Sequence, residues 1–122
     1  MPNEITIDPA EFRTAVEEAR AMSADAYVHT FSTPWTFEER TYDTLTFDFG
    51  KLTGNDDIAI KAELQALGKP AIVAEMSGEY LYRMAARACT EKIGADAIKA
   101  MPLRDSRKIR NKARSFLLRS GS

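Results

Sequence analysis

The chain has 122 residues, the size of one domain, and at that length folding buries about two-thirds of the unfolded surface without cross-links. Hydrophobic residues make up 44% and charged residues 29%, a balance that excludes a disordered chain. The net charge of −1 hides an asymmetry: residues 1–98 carry nine Lys/Arg against seventeen Asp/Glu, whereas residues 99–122 carry eight Lys/Arg against Asp105 alone, so a basic end must meet an acidic partner, nucleic acid or the acidic remainder of its own fold.

Asp8-Pro9-Ala10-Glu11 has the form of a helix start, with Asp8 as cap, Pro9 in the first turn and Glu11 three residues on. Phe12, Ala15, Val16 and Ala19 continue at helical spacing to about Met22, which predicts a surface helix with a narrow apolar stripe. From Tyr27 to Phe49 the period changes to alternation, and β-branched and aromatic residues dominate. Leu45, Phe47 and Phe49 share one face, Trp35 and Phe37 form a shorter alternating pair, and Glu38-Glu39-Arg40 is where the chain reverses. Residues 35–49 are therefore expected to form a β-hairpin, although its turn lacks Asn-Gly or Asp-Gly. A lone hairpin is barely stable, so its aromatic face must lie against helices or another chain.

Thr53 is placed to cap a helix whose first turn holds Asp56 and Asp57, whose buried stripe is Ile60, Leu64 and Leu67, and whose end is Gly68-Lys69-Pro70. Ser77 begins the next, with Leu81, Met84, Ala85, Ala88 and Cys89 on one face and Gly94 as its close. Small residues at 85, 86 and 88 allow another helix to approach closely. Asp96 to Met101 forms a short helical turn stopped by Pro102. Asp105 then caps a last helix with Ile109, Ala113, Phe116 and Leu117 on one face and basic residues on the others, and residues 120–122 fray. The expected fold is a single α+β domain, a β-hairpin packed against a small helical bundle of the N-terminal helix and three principal helices.

Residues capable of chemistry are few. His29 has only a threonine hydroxyl near it in sequence, where a general base needs an orienting acid and a nucleophile, so a packed or strand-surface histidine is preferred. Cys89 lies on an apolar stripe, which suits a buried small hydrophobe rather than a reactive thiolate, and one cysteine excludes an internal disulfide and fits a reducing cytoplasm. Asp56-Asp57 and Glu38-Glu39 are adjacent pairs whose side chains diverge, and Gly50-Lys51 and Gly68-Lys69 lack the rest of a phosphate loop. No enzyme, cofactor or metal site is expected. The longest aliphatic run, Ala71-Ile72-Val73-Ala74, is far short of the roughly 20 residues of a membrane span, and the N-terminus lacks the form of a signal peptide. No membrane association is expected.

The C-terminal helix exceeds what a core requires. Arg107, Lys108, Arg110, Lys112 and Arg114 surround it, and Phe116-Leu117-Leu118 places apolar groups near its end. Phosphate neutralisation is one use, but the acidic chain as a whole and the lack of a base-reading motif argue against nucleic acid. An apolar seam with charged flanks that docks on a helical protein partner is the simpler reading.

Thr46-Phe47-Asp48-Phe49-Gly50-Lys51-Leu52-Thr53-Gly54, Ser77-Gly78-Glu79-Tyr80, Met84-Ala85-Ala86-Arg87-Ala88-Cys89 and the closing Phe116-Leu117-Leu118, with the preceding Pro34-Trp35-Thr36-Phe37 to Thr41-Tyr42 hairpin, resemble the tail assembly chaperones of long-tailed bacteriophages and prophages. The likeness spans about residues 34–118; residues 1–33 fall outside it, and Glu39 stands where that family often has a turn glycine. It implies a non-enzymatic protein of the infected or lysogenic host's cytoplasm that binds the tape measure protein, keeps it soluble, helps recruit tail-tube subunits and does not remain in the virion. It also implies a longer second form made by ribosomal frameshifting in many members. The helix seam assigns the partner contact to Ile109, Ala113, Phe116 and Leu117, with Arg110 and Arg114 as steering charges; closure of the domain's own core is the competing use of these residues. Homo-oligomerisation is left open. The alternative functions are nucleic-acid binding through the basic helix and a structural place in the tail.

Overall fold

A computed structural model describes residues 25–120. The predicted helix from Asp8 to about Met22 lies outside the described residues. Two antiparallel strands, β1 (Ala26–Phe37) and β2 (Arg40–Asp48), are followed by helices α1 (Gly54–Ala66), α2 (Gly78–Ala88), α3 (Ala95–Lys99) and α4 (Leu103–Ser120), with single 3-10 turns at Phe49–Lys51 and Ala74–Met76. This is an α+β fold, a hairpin laid on helices, as the alternation and helical periods predict.

The hairpin is longer than residues 35–49, because β1 reaches back to Ala26, which pairs with Asp48. Its turn is where the polar run puts it: Phe37 pairs with Arg40, and Glu38 and Glu39 both have left-handed backbones, φ 51° and 69°. That is the conformation a two-residue turn requires, here adopted without the glycine or asparagine that relieves it. Register is interrupted once. Residues 31–34 stand opposite Asp43 alone, and the bulge holds Pro34, which has no N–H to give a ladder. The excess of three is odd, so parity holds along β1, where His29, Phe31 and Trp35 all point inward, and shifts along β2, where Leu45 and Phe47 share that face with Tyr42 rather than Asp43.

That inner face is a run of rings. Tyr27 stacks on Phe47, Phe47 on Phe49, and Phe49 on Phe116 of α4, with centroids 6.2, 6.2 and 5.7 Å apart; further along, Trp35 lies 5.6 Å from Phe31 and 5.4 Å from Phe37. Helix α2 is the hub, packed on α1, α3, α4 and β2. Ala85 and Ala88 are fully buried, so small side chains do allow close approach, while Tyr80, Leu81 and Met84 fill the space around them.

Caps follow the sequence in two helices. The Asp56 carboxylate accepts from the Thr53 N–H at 2.8 Å, and Ser77 Oγ accepts from the Tyr80 N–H at 3.1 Å. Gly68, at φ 72°, takes the left-handed position after α1. Three expectations are corrected. Leu67 is 57% exposed rather than part of the buried stripe, because the chain has already left α1 and turned at Gly68. Helix α2 ends at Ala88 and not near Gly94: Cys89 has extended backbone and bridges Phe47, while Thr90 N–H donates to Thr46 O at 2.8 Å and Thr46 N–H to Glu91 Oε1 at 2.9 Å, which covers the open edge of β2. Asp105 does not cap α4. The helix starts at Leu103, and Asp105, two residues in, turns its side chain into the interior.

Candidate functional site

The seam predicted on α4 is divided between core and surface. Ile109 and Ala113 are 0% exposed and form part of the continuous hydrophobic cluster with Phe47, Met84 and Ala85, so they have no surface to offer a partner. Phe116 and Leu117 are half-buried and pack on the margin of that cluster. Arg114 is a brace: its Nε–H donates to Glu75 O at 2.9 Å and its Nη1–H to Asn111 Oδ1 at 3.3 Å, fastening the 3-10 turn at Ala74–Met76 to α4. Arg110 is half-buried, and its Nε is sealed from solvent with no hydrogen-bond partner among the described residues. The structure thus brings together only Phe116 and Leu117 of the six predicted contact residues at an accessible place.

That place is a groove at the C-terminal end of α4. A hollow of about 250 Å³ lies between Phe116, Leu117 and Ser120 on one side and Leu52, Asp57, Ile60, Tyr80 and Met84 on the other, with mostly apolar walls. A second hollow of about 440 Å³ shares Asp57, Leu117 and Ser120 with the first and continues along Lys61, Ile72, Val73 and Glu75. Its outer bank is the connection between α1 and α2. Ile72 there is 93% exposed, Met76 74% and Val73 52%, an apolar group that the described residues leave largely uncovered. Pro70 and Gly68 hold this stretch out of α1, and the Ser77 cap holds it out of α2, so of the run Ala71-Ile72-Val73-Ala74 only the two alanines pack against the core, half-buried, and Ile72 and Val73 face outward.

The floor of the groove is polar at one point. The Tyr80 hydroxyl donates to the Asp57 carboxylate, and Asp57 also holds Lys61 at 3.2 Å. Burial, with Asp57 and then Glu75 adding negative charge, pushes the Tyr80 phenol well above its usual range. Arg87 joins the neighbouring Asp56 at 2.9 Å and Glu63 at 3.3 Å. The Thr53 backbone N–H, followed by Arg87, holds the Asp56 carboxyl below its ordinary value.

A second polar assembly lies inside the protein. His29 is 1% exposed; its Nε2 is 2.8 Å from Asp105 Oδ1 and its Nδ1 2.8 Å from the Tyr27 hydroxyl. A carboxylate accepts, so Nε2–H donates to Asp105, and Nδ1 shares its hydrogen bond with the Tyr27 hydroxyl. The acid that sequence proximity lacks comes from 76 residues away, which no local motif could reveal. Burial and, after it, Asp105 raise the Tyr27 phenol above its usual value, and Lys112 Nζ lies 5.3 Å from the centre of the Tyr27 ring. The three groups tie β1 to α4, with the imidazole sealed between them. Cys89 is buried as expected, and burial pushes its thiol up to about 11, away from thiolate chemistry. Among the described residues no cluster of three or more His, Cys, Asp or Glu is placed to hold a metal ion, and no helix is long and apolar enough to cross a membrane.

Comparison with protein-family models, curated proteins and solved structures yields no match.

Proposed function

We propose that this protein is a phage tail assembly chaperone that works by contact alone, transiently covering an apolar helical stretch of the tape measure protein and helping to recruit tail-tube subunits in the infected or lysogenic host cell. The observation that carries the reading is the open apolar groove: Phe116 and Leu117, two of the residues that carry the sequence resemblance, line it beside the displayed Ile72 and Val73. A tape measure chain before assembly exposes apolar helical surface that aggregates unless covered, and a groove of this kind receives a helix by its i, i+3, i+4 side chains. A short contact with a polar rim suits release, since standard stable complexes bury about 1,600 Å² and this groove is a fraction of that. The client's identity comes from the sequence resemblance; the groove supplies the chemistry.

Co-expression with a tape measure protein of the same phage or prophage tests this reading. The client should be soluble and co-purify with the wild-type chain, and should be insoluble alone. A client that aggregates equally with and without the chain refutes it. The exposed Arg107, Lys108 and Lys112 on α4 favour one rival, binding to nucleic acid. A titration against duplex DNA at two salt concentrations separates the two, because tight, steeply salt-dependent binding would make nucleic acid the main partner. The protein's presence in stoichiometric amount in purified particles would make it a structural tail component.

A further inference from the structure

The groove is not electrically neutral, and its charge says what kind of helix it takes. Glu75, on the bank beside Val73, has no ion pair among the described residues; its backbone oxygen, and not its carboxylate, receives Arg114. Asp57 stands where the two hollows meet, and Lys61 is its one ion-pair partner among the described residues. The opposite bank is the last turn of α4, whose terminal carbonyls carry about half a negative charge. Of the basic side chains of α4, Lys112 lies over Tyr27 and Arg119 pairs with Asp25 at 2.9 Å, both on the hollow at the start of β1 rather than on the groove; Arg114 does reach the bank, but its Nε–H goes to Glu75 O and its Nη1–H to Asn111 Oδ1, so the Glu75 carboxylate keeps no ion pair among the described residues.

We infer that the groove selects an amphipathic helix whose apolar stripe is flanked by lysine or arginine, and discriminates against one flanked by acids. The inference deepens the chaperone reading and rests on it for the claim that a client helix enters at all. Apolar side chains of the client fill the space over Ile60, Met84 and Leu117, while its flanking cations meet Glu75, Asp57 and the α4 carbonyls. Charge at the rim of such a contact sets partner choice and approach more than total affinity. The chain's own residues 1–24 carry five acids against two arginines and so lack the complementary charge.

Two synthetic 18-residue helical peptides test this, with one shared leucine stripe flanked by lysine in the first and by glutamate in the second. Titration calorimetry against the full chain at low salt should give about tenfold tighter binding of the lysine peptide. Glu75→Lys should erase most of that preference. Ile72→Ser, at a side chain with almost no contacts to lose, should weaken both peptides without changing the melting temperature. Equal affinity for the two peptides overturns the charge inference and leaves the apolar groove reading standing. Failure of both peptides to bind, whether a second copy or residues 8–22 fill the groove, also overturns it; if the tape measure protein still co-purifies, the chaperone reading survives alone, and if it does not, both fall.

Discussion

Replacing His29 by leucine keeps much of the side-chain volume and strands Asp105. The carboxylate is then left in the interior with its principal donor gone, since no other hydrogen bond joins the Asp105 side chain to the described residues. Taking the donor away from a buried acceptor costs about 1–3 kcal/mol and more when the acceptor is charged, and the 11% exposure of the Asp105 side chain, which admits some water, puts this case near 3 kcal/mol. Against a total of about 5–15 kcal/mol for a domain of this size, that loss should lower the melting temperature by roughly 10–20 °C. Urea denaturation followed by the fluorescence of Trp35, the only tryptophan and a buried one, measures it directly. The midpoint should fall with little change in slope. Adding Asp105→Asn to the same chain removes the stranded charge and should recover part of the loss, so the double variant is less destabilised than the two single changes added together. A single-variant cost below about 1 kcal/mol, or strict additivity, would refute the view that this pair fastens β1 to α4.

Further outcomes follow from other parts of the molecule. Tyr27→Phe leaves His29 Nδ1 without its hydroxyl partner and should cost about 1–3 kcal/mol in the same urea titration. Changing Glu38-Glu39 to Asn-Gly relieves two left-handed non-glycine residues and should raise stability by about 1 kcal/mol or more, read as a higher thermal midpoint. The folded state keeps Asp56 ionised to lower pH than the unfolded chain does, so the unfolded chain binds more protons in acid and this contribution, present above the ordinary carboxyl value near 4, is lost as pH falls below it. Asp56→Asn should flatten that part of an acid titration of stability. Ile109→Ala, in the sealed part of the α4 seam, should cost about 2–5 kcal/mol by denaturation and leave partner binding at low temperature unchanged.

The amphipathic pattern made the helices legible, since period and caps are local. Thr53, Gly68 and Ser77 mark boundaries through their own backbone and hydroxyl groups, and the structure keeps all three. The hairpin turn was legible from polarity, although its residues lack the usual chemistry, because the aromatic strands on either side impose the reversal on Glu38 and Glu39. What could not be read was long-range. Asp105 has the sequence dress of a helix cap, and only the packing of α4 across β1 gives it His29 instead. The α4 seam was visible as a stripe, but a stripe does not show where core ends and surface begins; here the division falls between Ala113 and Phe116, where α4 runs past the end of the hairpin's inner face to Phe49. Ala71-Ile72-Val73-Ala74 is apolar but far shorter than a membrane span, so its length alone points to no role. Its place between a breaker and a cap was the available sign that it would be displayed.

Hydrogen exchange on the chain alone and in complex with the proposed tape measure client tests the groove most directly, because it reads every backbone amide at once. Protection gained on binding should concentrate on residues 71–76, the start of α1 and the last turn of α4, with the outer face of the hairpin unchanged. Protection confined to the hairpin or to the basic face of α4 at Arg107, Lys108 and Lys112, with residues 71–76 exchanging as before, would contradict the assignment of the groove as the place where this protein meets its client.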